Sequence, residues 1–359
     1  MNFTFDTIAP VRELVIVIPD LYLPRELHGA TRAAAAFANV PGIERVARFG
    51  TREVLRGGWR AWLPGRVGRA ELADVAPACI AAAALDGSLS PPDPGTPEVS
   101  TRWISTAVHL QAGLTRVHLD HRGLLRLAAP EQATLAADFA RTFGSTNCTL
   151  SPLPCGEFLL ETPGLPAVAT SEPARCAGSE LDELMPTGSA AAPLRRLLAE
   201  IEMWLHTQPL NEARRMRAEV PLTALWPWGA LGRIVRPERR TQAEMPLAFG
   251  EDAWLEGLWQ LQGSTGRAPP ECLQEVLAAG ARASVLLVGV GGQLRSERET
   301  AADALARLDE RFVFPALQAV HGGVLARLTL ILNDALVQVH RASLRRFWRR
   351  AVNGLTGFA

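Results

Sequence analysis

Residues 13–20 read Glu-Leu-Val-Ile-Val-Ile-Pro-Asp, an unbroken aliphatic run halted by a proline and closed by a carboxylate. A half-buried strand alternates apolar and polar residues. A continuous run marks a strand covered on both faces, the usual case in a parallel sheet. The same type recurs at Ser284–Val290 (SVLLVGV, followed by a glycine pair) and at Arg327–Leu332 (RLTLIL, followed by Asn-Asp). Between these runs the apolar period becomes helical. Leu194, Leu197, Leu198, Ile201, Trp204 and Leu205 form one amphipathic face, and Leu305, Leu308, Phe312 and Leu317 form another within Ala301–Val320. Strands alternating with helices predict an α/β layered sheet.

Two stretches break the rhythm. Ser88–Glu98 (SLSPPDPGTPE) and Thr162–Ala192 have the Pro, Gly and Ser density of linkers. They bracket a strand pattern at Thr115–Leu119, a helix at Pro130–Phe143 and a strand at Glu157–Glu161. At 359 residues the chain exceeds one ordinary core. The expected plan is therefore a core begun by residues 1–95, a small inserted α+β domain at 100–165, and the rest of the core with a basic tail at 190–359.

Composition removes whole classes of chemistry. The formal charge is zero, so no global field draws the chain to nucleic acid or to an anionic membrane. All 37 basic side chains counted as Lys or Arg are arginine, which excludes a Schiff-base lysine and a Walker A lysine. Cys79, Cys148, Cys155, Cys176 and Cys272 contain no C-x-x-C pair and read as reduced thiols. No run approaches the roughly 18 apolar residues of a membrane span, and the start lacks the basic n-region of a signal peptide. The expected location is cytoplasmic.

The densest local signal is Trp204–Gly232, WLHTQPLNEARRMRAEVPLTALWPWGALG. Asn211 with Arg214 and Arg215 could hydrogen-bond a phosphate or carboxylate, beside Trp226 and Trp228. Equally, the tryptophans are core aromatics and the arginines snorkel to solvent. H-x-x-P-L-N-x-x-R followed by P-x-x-x-L-W-P-W-G resembles the signature of archaeal-type, cofactor-independent phosphoglycerate mutases, members of the alkaline-phosphatase superfamily. Val40–Gly50, Val108–Gln111, Gly156–Glu161 and Ala304–Pro315 are similar to further segments of that family. With the ending Arg346-Phe347-Trp348-Arg349-Arg350, the likeness extends to a bacterial offshoot, the regulatory protein RpfE family. The resemblance implies an alkaline-phosphatase-like layered sheet with helices on both faces and an inserted domain.

It also implies two metal ions held by Asp and His around a Ser or Thr nucleophile. The implied first metal ligand falls at Asp20. The implied D-x-x-x-H run falls at Gly289–Glu297, GVGGQLRSE, which has neither residue type. The final ligand motif falls at Asn333-Asp334-Ala335-Leu336, where only Asp334 could ligate, and the nucleophile segment offers only Thr51. The expectation is a degenerate relative with no metal or other cofactor, Asp20 and Asp334 being vestigial. It would act as a regulatory or interaction protein that keeps an anion pocket at Asn211 and Arg214. The rivals are a working mutase or phosphatase needing Mn²⁺ or Zn²⁺, and a non-catalytic sensor of a phosphorylated metabolite.

Other constellations read as structural. His118, Asp120 and His121 cannot share one face of a strand, and His109 sits in the inserted-domain likeness. Gly289, Gly291 and Gly292 lack the G-x-G-x-x-G spacing. In Arg341–Arg350 (RASLRRFWRR), Arg341, Arg345 and Arg349 are spaced by four, with Arg346 and Arg350 beside them. On a helix they would make a basic stripe for an acidic protein, nucleic acid or lipid headgroups, the nucleic-acid version weakened by the neutral net charge, or else a solvated face on a docked terminal element.

Overall fold

The computed structural model describes residues 12–21, 39–85, 100–113, 117–177, 179–180, 185–235, 237–240, 245–295, 298–332, 334–346, 348–350 and 355. The linker at Ser88–Glu98 lies outside the described residues, as do the N-terminal residues 1–11. The aliphatic run forms β1 (Glu13–Ile18), inside a six-stranded sheet. It pairs in parallel with β10 (Ala283–Leu287) on one side and β11 (Arg327–Leu332) on the other, the two runs of like composition. β9 (Leu247–Phe249) extends the parallel set, while β12 (Ala335–His340) and β2 (Thr51–Val54) complete the opposite edge in antiparallel register.

Both faces of this sheet are covered, which is why β1 is apolar throughout. Leu14, Ile16 and Ile18 share a core with the helices Pro41–Phe49, Leu273–Ala278 and Ala301–Leu308. Val15 and Val17 share another with the helices Gly58–Arg66, Pro77–Ala81 and Ala253–Gln260. The layered α/β architecture expected from the sequence is the one observed.

A second, antiparallel sheet is built on the 13-residue β3 (Ser100–Ala112). β6 (Phe158–Pro163) pairs with its first half, β8 (Ala224–Trp228) with its middle and β4 (Val117–Leu124) with its end. β5 (Thr149–Pro152) and β7 (Ser179–Glu180) add to β6 and β4. The helices Ala129–Phe143 and Ala192–His206 bury Leu135, Phe139, Ile201 and Trp204 against Trp103, Phe158 and Leu160 of this sheet. Thus the segment after residue 190 divides: 192–228 serves the second sheet, and 247 onward returns to the first.

The helix expected at Ala301–Val320 contains a wide turn, Asp309–Val313, just ahead of Pro315. Proline has no N–H for the helical ladder, and a widened turn absorbs the missing bond. The turn also delivers Asp309 inward. Its carboxylate accepts from Gly42 N (2.8 Å) and Ile43 N (2.7 Å), capping a helix whose own N-cap residue, Val40, has no side-chain oxygen. Gly42 is required there, since a Cβ would lie 2.5 Å from Asp309 Oδ1 and 2.6 Å from Phe314 N.

Candidate functional site

In an open α/β sheet, ligands sit in the crevice beyond the C-terminal ends of the parallel strands. Here that crevice is a cleft of about 350 Å³. Pro19 and Asp20 after β1, and Val288 to Gln293 after β10, form one wall; Thr106, Arg126, Glu157, Glu172 and Trp228 come from the second sheet's side. Arg60, Glu251 and Asp252 complete it.

Asp20 is 4% exposed, and its carboxylate accepts from Val290 N and Gly291 N, both at 2.7 Å. Its carbonyl oxygen meets His121 Nε2 at 2.9 Å. Asp20 therefore ties the loop after β10 to β1 and to the end of β4. Asp334 stands at the same sheet end, two residues past the Ile18–Leu332 register pair, but its carboxylate goes to Arg175 Nη2 at 2.8 Å. Among the described residues no three His, Cys, Asp or Glu side chains converge as metal ligands do. The two metal ions implied by the resemblance do not fit the groups present. Both oxygens of Asp20 are taken by backbone amides, Asp334 Oδ2 is paired with an arginine, and the described part of the loop that should carry Asp and His supplies the Val290 and Gly291 N–H groups. Thr51 is no nucleophile for this cleft either. It pairs with Gln338, level with Val15, about 10 Å short of the sheet end.

The charged centre of the cleft is Arg60. Its guanidinium forks onto Asp252 (Nη1–Oδ1 2.9 Å, Nη2–Oδ2 2.8 Å) and onto Glu172 (Nη2–Oε1 2.6 Å, Nε–Oε2 3.3 Å). Burial opposes its charge, but the two carboxylates outweigh that and hold it above the ordinary arginine value. Burial also works to raise Asp252, and Arg60 more than compensates, so Asp252 lies below the usual carboxylate range. Asp252 further caps the helix Ala253–Gln260 by accepting from Leu255 N at 2.8 Å. Glu157 has no arginine fork. Burial first, and then the charge of Asp252, push it above the carboxylate range. It accepts from Thr106 Oγ1 at 2.8 Å, and Thr106 in turn accepts from Trp228 Nε1 at 3.0 Å. The cleft thus holds one carboxyl pushed upward by burial and one held down by Arg60. Cys155 nearby is pushed up to about 12 by burial and adjacent carboxylates, so it offers no thiolate.

No family model matches the sequence, and no curated protein matches it. By structure the chain is similar to the cofactor-independent phosphoglycerate mutase of Thermoplasma acidophilum, at 14% identity. That comparison covers 91% of this chain and 89% of that one, with a TM-score of 0.37. It is also similar to the PH0037 protein of Pyrococcus horikoshii, at 13% identity over 93% of this chain and 88% of that one, with a TM-score of 0.45.

Asn211, Arg214 and Arg215, the residues expected to line an anion pocket, are engaged by the protein itself. Asn211 Nδ2 donates to Leu205 O (2.9 Å) and Leu222 O (2.8 Å), and its Oδ1 accepts from Leu222 N (2.7 Å). Arg214, 7% exposed, donates to Val220 O and to both oxygens of Glu131. Arg215 is exposed and pairs one turn back with Glu212. The motif is a bracket that fixes the approach to β8 and the inserted helix. Trp226 and Trp228 are buried in the core, and Trp228 also walls the cleft.

The basic stretch does not form the helix on which a stripe was expected. Among the described residues, 341–350 form turns and one 3₁₀ turn, Ser343–Arg345, so spacing by four builds no helical face. Arg349 turns inward, donating to Arg48 O and Gly50 O. Arg341, Arg345 and Arg350 are exposed, Arg346 is half-buried, and Phe347 lies outside the described residues. No described helix is long and apolar enough to cross a membrane. His109 is structural, its Nδ1 2.8 Å from Pro221 O. Arg60, Glu157, Glu172 and Asp252 carried no motif. Only Asp252, the polar residue ahead of the helical run AWLEGLWQ, had a local signal, that of an N-cap.

Proposed function

We propose that this chain is a catalytically degenerate protein on a phosphoglycerate-mutase-like, alkaline-phosphatase-type scaffold, akin to the regulatory protein RpfE family. It works as a regulatory or interaction protein in a bacterial cytoplasm. The observation that supports this reading is the double amide capping of Asp20. The oxygens that would hold a metal ion instead hold the Val290–Gly291 backbone. Stripping two amides of a buried acceptor to admit an ion would leave them unpaired, at about 1–3 kcal/mol each.

The test is thermal unfolding with Mn²⁺, Zn²⁺ and 3-phosphoglycerate, alongside a phosphate-transfer assay. We expect no metal-dependent rise in Tm and no transfer. We expect Asp20→Ala to destabilise the fold by about 2–4 kcal/mol whether or not metal is present. A metal-dependent rise in Tm that vanishes in Asp20→Ala would sink the degenerate reading and restore the metal-dependent enzyme.

A further inference from the structure

Arg60 is held by more than an ion pair. The two forks onto Asp252 and Glu172 engage all three guanidinium nitrogens. Around it stand three tryptophans, with ring centroids 4.2 Å (Trp59), 4.7 Å (Trp228) and 5.2 Å (Trp254) from the guanidinium carbon. Trp59 and Trp254 fix each other edge to face, at 5.2 Å and 85°. The side chain is 10% exposed. Bidentate carboxylates in the guanidinium plane with aromatic faces against it are the groups that recognise this cation and discriminate it from an ammonium.

The cage is assembled from distant parts of the chain. Glu172 is 112 residues and Asp252 192 residues away from Arg60. Glu172 and Trp228 belong to the second sheet's side, whereas Asp252, Trp254 and Trp59 belong to helices on the first sheet. Apart from Trp59, which neighbours Arg60 on its own helix, the groups that shape it come from distant segments. Without the cation, two carboxylates would face one another next to Glu157 across the line where the sheets meet. With it, that line is closed.

We propose that the tryptophan–carboxylate cage beside the cleft is a guanidinium-binding site, filled by the chain's own Arg60, which acts as a captive ligand fastening the two sheets. Its specificity is for a planar, forked cation, so free guanidinium ion is the matching external ligand. This inference is independent of whether the cleft ever bound metal.

Arg60→Ala empties the cage, and the test is whether free guanidinium refills it. The variant is expected to melt about 5–10 °C below the parent, because two buried carboxylates lose their counter-ion. Guanidinium chloride at about 50 mM should then raise its Tm by about 2 °C or more, as a native-state ligand does. In the parent the same addition should leave Tm unchanged or lower it, since only the denaturant action remains. Equal concentrations of sodium chloride or urea should not reproduce the gain, and adding Glu172→Gln to Arg60→Ala should abolish it. A guanidinium response of Arg60→Ala no different from the parent's, or one that survives Glu172→Gln, overturns the proposal. If Arg60→Ala is recovered unfolded, it is refolded from urea with guanidinium or with sodium chloride. Soluble protein only with guanidinium supports the proposal, and none with either overturns it.

Discussion

Replacing Asn211 by alanine will lower the unfolding free energy by about 3–5 kcal/mol, while Arg215→Ala, four residues on, will change it by less than about 0.5 kcal/mol. The two belong to one sequence motif and differ only in what the fold does with them. Asn211 is 4% exposed and makes three buried hydrogen bonds, to Leu205 O, Leu222 O and Leu222 N. Alanine strands Leu222 O and Leu222 N, while Leu205 O keeps Gln208 N at 3.1 Å, and each orphan costs about 1–3 kcal/mol. Arg215 is solvated, and its bond to Glu212 is a surface pair of the kind worth little. Urea denaturation at equal m-value distinguishes them. An Asn211→Ala loss below about 1 kcal/mol would mean that the bracket is not what fixes β8, and would return Asn211 to the list of ligand-binding candidates.

That contrast marks what the sequence can carry. The strands at 13–18 and 327–332 coincide with their aliphatic runs, because burial on both faces of a parallel sheet leaves a local imprint in every residue. Helices 129–143 and 192–206 were legible for the same reason, through one apolar face each. Asp20 was legible as the carboxylate at a strand end, but its partners were not: Val290 and Gly291 lie 270 and 271 residues away. Arg60 and Glu172 were invisible for that reason, and Asp252 was legible only as a helix N-cap. A buried ion cage is a property of three segments brought together, and none of them departs from ordinary composition. The Asn-Arg-Trp cluster misled in the opposite way. Residues able to bind an anion are also the residues able to bridge backbone carbonyls and a carboxylate, and proximity in sequence does not say which.

The second large effect concerns pH. Between about pH 4 and pH 7 the fold should lose about 2.5 kcal/mol through Asp309 alone. Asp309 is 1% exposed, and burial raises its carboxyl from 3.8 to about 6, against the pull of the Gly42 and Ile43 amides and with a further push from Glu44. Because the folded value is above the unfolded one, the native state binds the proton more tightly. The resulting stability is fully present below about pH 3.8 and is lost as pH rises through about 6. Carboxylates held low, such as Asp138 and Glu71, act with the opposite sign and in a more acid window. The measurement is therefore a difference. Unfolding free energies of the parent and of Asp309→Asn, from urea titrations at pH 4, 5, 6 and 7, should converge as pH rises. Asparagine cannot ionise, and it keeps one acceptor for the start of the helix at 41–49. The parent's advantage should be greatest at pH 4 and shrink by about 2–3 kcal/mol by pH 7. Parallel curves would mean that Asp309 titrates in the folded protein as it does in the unfolded chain. The widened turn at 309–313 would then be holding an ionised carboxylate against the helix start at no net cost from burial.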